Sequence, residues 1–336
     1  MNRAIFFTMT LMLGLIASVN GETVAEVTHW ELQAVDEYGV GTYEDTDKVI
    51  ITGIVLNNPE EMLDPTPGAP AYLGGQWQMY IQGEGNDHAG TAVYLGQYYA
   101  RVGGSGNYTE EELLAELCDI NHDPNTDYVF AAGDRVKVTG WYKFHKGKLN
   151  VNEIHQVEPT YDFDVELLEP AVGLPQPEVI TLNMVKDSND QYIFDQTRQT
   201  GCEHYQARLV RVNDVNITDP NNWVPDGTIT ISDGTGLTFP VKLGIGDGFT
   251  RYDCPLGQID VIAIFDQEAS SKDICKDGYR LWVVDYDGNG LVLTDRGHER
   301  GNLPGDINTD YKVDFEDFAE LAEHWLRQRA GLRDCS

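Results

Sequence analysis

The sequence predicts a mainly β protein whose strands form two small five-stranded barrels in tandem. Short stretches in which apolar and polar residues alternate recur along most of the 336 residues. Turn-forming residues separate these stretches. The same order of elements occurs twice, on either side of a segment whose prolines, Pro159, Pro170, Pro175 and Pro177, indicate a stiff linker.

The first half of the chain contains five predicted strands and one helix. The strands cover residues 47–57, 76–82, 91–100, 134–144 and 149–157. In the second of them (QWQMYIQ), Trp77, Met79 and Ile81 fall on one face, as expected when one face lines a core. A helix is predicted at 108–119 (YTEEELLAELCD), between the third and fourth strands. This is the element order of an OB-fold barrel, and a small β-sandwich with an inserted helix is the alternative.

The second half repeats this order with different residues. Its strands are predicted at 202–217, 228–232, 237–243 and 259–265, with a fifth in two pieces at 279–284 and 290–293. The Asp233-Gly234 pair is typical of a hairpin turn. Residues 244–255 are irregular where the first half has its helix. The sequence therefore predicts a second OB-like barrel.

The N-terminus, MNRAIFFTMTLMLGLIASVNGE, has the composition of a secretory signal peptide. Arg3 precedes an apolar run at 4–17, and small residues lead to an expected cleavage after Gly21. The run is short for a membrane span, although an uncleaved anchor is the alternative. We therefore expect a secreted mature chain, extracellular or at the cell surface, without a transmembrane anchor.

Seven segments make up the predicted organisation. They are a signal peptide (1–21), OB-like barrel 1 (22–160), a proline-spaced linker (161–178), OB-like barrel 2 (179–298), a second linker (299–304), a calcium-loop–helix repeat (305–328) and a tail (329–336).

The phrase GDINTDYKVDFEDFAELAEHWL (305–326) predicts a calcium site. Oxygen-bearing groups occupy loop positions 1, 3, 5, 7, 9 and 12, which is the spacing that wraps ligands around one Ca²⁺. The predicted ligands are Asp306, Asn308, Asp310, Lys312 through its backbone carbonyl, Asp314 and Asp317. The alternative is an acidic surface turn in front of an amphipathic helix.

This phrase resembles one repeat of a type I dockerin, a calcium-binding module that docks secreted proteins onto cohesins. The chain departs from that family in having a single repeat and in placing Tyr311 where glycine is usual. The resemblance implies a cohesin-like or cell-surface partner. The helix that follows carries an apolar stripe, which is predicted to form the docking face. Its residues are Phe315, Phe318, Leu321 and Trp325.

The barrels resemble secreted bacterial OB-fold domains, on the strand order and on phrases such as GDRVKVTGWYKFHKGKLNVNEIH. OB-folds bind ligands on the face of strands two and three, which makes Tyr80, Tyr94, Tyr98 and Trp141 candidates for stacking on sugars or bases. Core packing is the alternative for each. The formal net charge of −32 and the lack of a basic groove disfavour nucleic acid as a partner. A polysaccharide is compatible with this charge.

An exported chain permits disulfides, but five cysteines leave at least one thiol unpaired. Strands one and four of an OB barrel run antiparallel, which places the start of the first beside the end of the fourth. We therefore predict a Cys202–Cys275 disulfide, with Cys254 bonded to either as the rival pairing.

No nucleophile-elbow or metalloprotease motif occurs, and adjacent carboxylates are common because the chain is acidic. We therefore predict a non-enzymatic binding or scaffold protein that its calcium loop attaches to a partner or surface. The alternatives are a carbohydrate-binding accessory module of an extracellular polysaccharide-degrading system and an extracellular nucleic-acid-binding OB-fold protein.

Overall fold

The computed structural model describes residues 17–19, 22–44, 47–62, 76–96, 110–126, 128–153, 164–246, 248–288 and 292–293. In the first half, the strands are β1 (Ala17–Val19), β2 (Glu22–Glu26), β3 (Lys48–Val55), β4 (Gln76–Gln82), β5 (Gly90–Gly96), β6 (Arg135–His145), β7 (Lys148–Asn152) and β8 (Asp164–Glu169). The helices there are α1 (His29–Leu32), α2 (Glu110–Ile120) and a 3₁₀ helix at Pro59–Met62.

The second half has a similar set of elements. Its strands are β9 (Glu178–Ile180), β10 (Leu209–Ile217), β11 (Thr228–Ser232), β12 (Thr238–Leu243), β13 (Gln258–Gln267), β14 (Tyr279–Val283), β15 (Asp285–Tyr286) and β16 (Val292–Leu293). Its helices are α3 (Leu182–Val185), α4 (Gly248–Arg251) and 3₁₀ helices at Cys202–Tyr205 and Pro220–Asn222.

Five strands of the first half close into a barrel. β3 pairs antiparallel with β4 and β6, β4 with β5, and β6 with β7, while β5 pairs parallel with β7. The circle is therefore β3-β4-β5-β7-β6, and α2 connects β5 to β6. This closed barrel is compatible with an OB-like fold and excludes the small β-sandwich that the sequence left as an alternative.

The second half closes in the same way. β10 pairs antiparallel with β11 and β13, β11 with β12, and β13 with β14, while β12 pairs parallel with β14. The irregular segment predicted at 244–255 contains the single helical turn of α4. The prediction of two five-stranded barrels in tandem is confirmed.

Two predicted boundaries differ from the structure. The first strand of barrel 2 begins at Leu209, and the predicted start at Cys202 lies in a 3₁₀ helix. Cys202 and Glu203 are both buried, so this stretch lacks the alternation of a strand. The segment predicted as a linker, 161–178, contains β8, which pairs with β6 of barrel 1.

The predicted core face of β4 is confirmed. Trp77, Met79 and Ile81 are each 0% exposed and line the core of barrel 1. Barrel 2 has a core of its own, which is built from residues of β10 to β14 together with the 3₁₀ helix that contains Tyr205.

A third apolar cluster lies between the barrels and joins them. Its members are Leu56, Met62, Tyr80 and Ala92 from barrel 1, and Ala207, Leu209, Ile262, Ile264, Trp282 and Val284 from barrel 2. Main-chain hydrogen bonds cross the same interface, from Gly90 N to Gln206 O (3.1 Å) and from Ala269 N to Lys146 O (2.7 Å). The two barrels therefore pack as one body.

Gly90 permits the closest approach at this interface. A Cβ atom at this position would lie 2.0 Å from the carbonyl oxygen of Ala207, in the other barrel. Because that neighbour is backbone, any side chain at position 90 would push the two barrels apart.

The predicted signal peptide lies largely outside the described residues, as do both linker 299–304 and the calcium-loop–helix repeat. None of the helices in the described ranges combines the length and apolar composition that a membrane crossing requires. Because the calcium-loop–helix repeat lies outside the described residues, its calcium ligands and its docking stripe stay predictions.

Helix α1 is short and depends on its cap. The Thr28 hydroxyl accepts a hydrogen bond from Glu31 N (3.1 Å), and the Glu31 carboxylate accepts one from Thr28 N (3.0 Å). We expect Thr28→Ala to lower the free energy of unfolding by about 1 kcal/mol, measured by urea denaturation. Thr28→Ser keeps the hydroxyl and is the matched control. Equal losses in both variants would contradict a capping role.

Candidate functional site

The aromatic residues predicted to bind a ligand are buried or partly buried wherever the structure describes them. Tyr80 is 1% exposed, and its hydroxyl donates a hydrogen bond to Asp266 Oδ1 of barrel 2 (2.9 Å). Its ring lies edge-on to Trp282, with the ring centroids 6.0 Å apart. Barrel 2 therefore covers Tyr80, on the outer face of β4 where OB-folds usually bind ligands.

Of the other predicted rings, the two that the structure describes do not form one exposed surface. Trp141 is 4% exposed, with Lys48 Nζ 5.5 Å from its ring centroid. Tyr94 is partly buried, and this burial raises the pKa of its phenol well above the usual range. Tyr98 lies outside the described residues. Ligand binding by these residues stays a prediction, and a stacking ligand would have no open ring at Tyr80.

The corresponding face of barrel 2 has a different chemistry. The burial of β11 and β12 alternates, and the side chains that face outward are mostly small and polar. They belong to Thr228, Thr230, Ser232, Thr238, Pro240 and Lys242. These two described strands thus present no outward aromatic ring on which a sugar or base would stack.

The predicted Cys202–Cys275 disulfide is wrong, because both residues are free thiols, as is Cys254 of the rival pairing. The Cys202 thiol lies in the core of barrel 2 and donates a hydrogen bond to the carbonyl of Val185 (3.2 Å). Cys275 lies in the loop after β13, which is held against barrel 1 by the hydrogen bond from Cys275 N to Tyr38 O (2.8 Å). Packing between the barrels thus sets the position of this loop.

A buried charged cluster lies beside the shared apolar core. The side chain of Asp266 is 1% exposed and contacts Lys148 Nζ (3.0 Å) and Arg280 Nε (2.7 Å). Lys148 belongs to barrel 1, and its Nζ also lies 4.6 Å from the ring centroid of Trp282. Burial alone would raise the pKa of Asp266, but the two cations attract the carboxylate and hold its pKa below the ordinary value. This cluster is largely buried and connects the barrels.

A second polar group lies at the edge of the same interface and is partly exposed. His88 comes from the turn between β4 and β5, Glu178 begins β9, and His204 lies in the 3₁₀ helix before β10. His88 Nε2 is 3.0 Å from Glu178 Oε2, and the two imidazole rings stack with centroids 4.2 Å apart. One ligand atom from each of the three residues lies within 4.8 Å of the others.

The surroundings of this group favour a neutral imidazole at His88. Burial and the nearby Arg208 and His204 lower the pKa of His88, and Glu178 opposes the shift only in part. His204 Nδ1 lies 2.7 Å from the carbonyl oxygen of Arg198, which favours a proton on that nitrogen. Arg208 Nη2 lies 3.2 Å from Glu178 Oε2 and neutralises the carboxylate.

Sequence reasoning missed both polar groups. Their members are far apart along the chain, so no motif spacing connects them. The only local signal is a charged residue beside an apolar strand run, as in IAIFDQ, which ends with Asp266 and Gln267. A comparison with protein-family models gives no match, and a search of curated proteins gives no similar sequence.

Proposed function

We propose that this chain is an exported, non-enzymatic binding or scaffold protein. In this proposal the two OB-like barrels form a rigid body, and the C-terminal repeat binds Ca²⁺ and attaches that body to a cohesin-like or cell-surface partner. The observation that supports a scaffold is the interface: an apolar core and the Asp266 cluster fix one barrel on the other.

The coverage of barrel 1 also supports a scaffold over a ligand-binding role for that barrel. The outer face of β4 and β5 contributes Tyr80 and Ala92 to the shared core instead of leaving them open. A protein that used this face for a sugar would first have to separate its barrels. The attachment function is assigned to the C-terminal repeat on its sequence alone.

Calcium binding is the part of this proposal that is tested most directly. We expect calorimetric titration of the full chain to show Ca²⁺ binding that Asp306→Ala and Asp317→Ala each weaken by about tenfold or more, because a hard cation needs six to eight oxygens. Asp287→Ala is the matched control, since it changes an acidic residue in the DYDGNG turn, where no carboxylate closes a loop. Equal titration heats in the wild type and both loop variants would remove the calcium site from the proposal.

A further inference from the structure

We propose that His88, Glu178 and His204 bind one divalent transition metal ion, with Zn²⁺ as the reference ion, and that this ion links the two barrels. The proposed site differs from the predicted calcium loop in its residues and in its chemistry. It does not depend on the proposed attachment function.

The ligand chemistry selects the class of metal. Two imidazoles and one carboxylate suit Zn²⁺ and its neighbours in the first transition row, whereas Ca²⁺ and Mg²⁺ prefer sites made of oxygen alone. Three protein ligands leave a fourth position of a tetrahedral ion for water. The group is partly exposed, so an ion and this water have a path from solvent.

One of the distances between the ligand atoms is close to that of an assembled site. Two ligands of a tetrahedral zinc ion, each at ~2.0–2.1 Å, are ~3.3 Å apart. His88 Nε2 and Glu178 Oε2 are 3.0 Å apart, and the widest separation in the group is at most 4.8 Å. Binding therefore requires the ring nitrogen of His204 to move toward the other two ligand atoms, and the stacked imidazoles must turn, because the in-plane lone pairs of near-parallel rings do not converge on one ion.

A backbone carbonyl already orients one of the imidazoles. A proton on His204 Nδ1 is donated to the carbonyl oxygen of Arg198, which leaves the lone pair of Nε2 for a metal. Histidines that bind metals usually make such a bond with their other ring nitrogen.

Arg208 is the group that opposes binding, because it shares the carboxylate of Glu178. A carboxylate has two oxygens with several lone pairs, so it can contact both a guanidinium and an ion. The positive charge of Arg208 will nevertheless weaken the site. We therefore expect a moderate zinc affinity.

The position of the ligands gives the ion a structural role. His88 belongs to barrel 1, whereas Glu178 and His204 belong to the segments that lead into barrel 2. An ion bound to all three is expected to stabilise the folded arrangement by mass action. At a free zinc concentration 100 times the dissociation constant, the thermal midpoint should rise by about 5 °C.

The test is calorimetric titration of the metal-free full chain with Zn²⁺ in the presence of millimolar Ca²⁺. We expect one zinc ion per chain, and an affinity that falls by about tenfold or more in His88→Gln, Glu178→Gln and His204→Gln. His145→Gln is the matched control, because His145 is an exposed histidine at the end of β6. Asp306→Ala, in the predicted calcium loop, should also retain zinc binding.

Two further measurements keep the outcome clear. Urea denaturation without metal shows whether each variant folds, and Co²⁺ added to the wild type should give the intense visible absorption of a tetrahedral site, which Zn²⁺ then removes. Equal zinc affinity in the wild type and His88→Gln, or no tetrahedral Co²⁺ spectrum in the wild type, would overturn the assignment. Loss of zinc binding in Asp306→Ala alone would place the ion in the acidic loop and overturn it as well.

Discussion

Replacing Asp266 by asparagine is expected to lower the free energy of unfolding by about 3–5 kcal/mol. The Asp266 carboxylate is 1% exposed and is the shared partner of Lys148 and Arg280. Asparagine has the same shape, so the change removes the charge without opening a cavity. Lys148 and Arg280 would then remain in a largely buried interface with one negative partner fewer. The stability is lost because their positive charges are desolvated and no longer fully compensated.

This prediction is measured by urea denaturation of the wild type and Asp266→Asn at neutral pH. Glu166→Gln is the matched control, because Glu166 forms an ion pair with Lys137 in which both side chains are more than a third exposed. Exposed pairs of this kind contribute about 0–1 kcal/mol. A loss of less than 1 kcal/mol in Asp266→Asn would show that solvent or Glu268 compensates for the missing carboxylate.

The Asp266 cluster also makes the stability of the folded chain depend on pH under acidic conditions. The folded-state pKa of Asp266 is below its ordinary value, so the stability that this group contributes is complete above the unfolded pKa of about 3.9. It is lost as the pH falls through the folded-state pKa. Asp266→Asn should therefore flatten the loss of stability on the acid side.

Local sequence patterns were sufficient to predict the strands of the barrels and their order. Alternation in β4 puts Trp77, Met79 and Ile81 in the core because one face of a barrel strand must be buried. The same argument assigns Tyr80 to the outside of barrel 1, which is correct. It cannot show that a second barrel covers this outer face, because nothing local to β4 encodes the partner surface.

For the candidate sites as well, local sequence patterns could not predict the contacts between the barrels. The Cys202–Cys275 prediction assumed that OB topology alone sets the position of the loop after strand four, whereas contacts with barrel 1 hold that loop. Likewise, His88 and His204 approach each other only because barrel 2 packs beside the β4–β5 turn. Contacts between domains depend on the shape of both surfaces, and periodicity within one strand carries no information about that shape.

Glu203 is expected to make the folded chain less stable as the pH rises from about 4.5 to 7. Its side chain is buried, and this burial raises the pKa of Glu203 to about 7, although hydrogen bonds from Tyr279 and Gln206 oppose the shift. In the unfolded chain the same group has a pKa of about 4.5. Folding therefore favours the protonated form of Glu203. The stability that this form contributes is complete below the unfolded pKa and is lost as the pH rises through the folded-state pKa. The difference corresponds to about 3 kcal/mol.

Glu203→Gln should therefore stabilise the chain above pH 7 by about 2–3 kcal/mol and have little effect at pH 4.5. Glutamine has the same size, and its side-chain oxygen can still accept the hydrogen bond from the Tyr279 hydroxyl. Urea denaturation of both proteins at several values between pH 4.5 and 8 measures the difference. Histidines also titrate in this range, but they do so in both proteins, so their contributions cancel in the comparison. Glu166→Gln is the control for the pH dependence of the free energy of unfolding. A stability difference between Glu203→Gln and the wild type that does not change with pH would contradict a protonation equilibrium at Glu203.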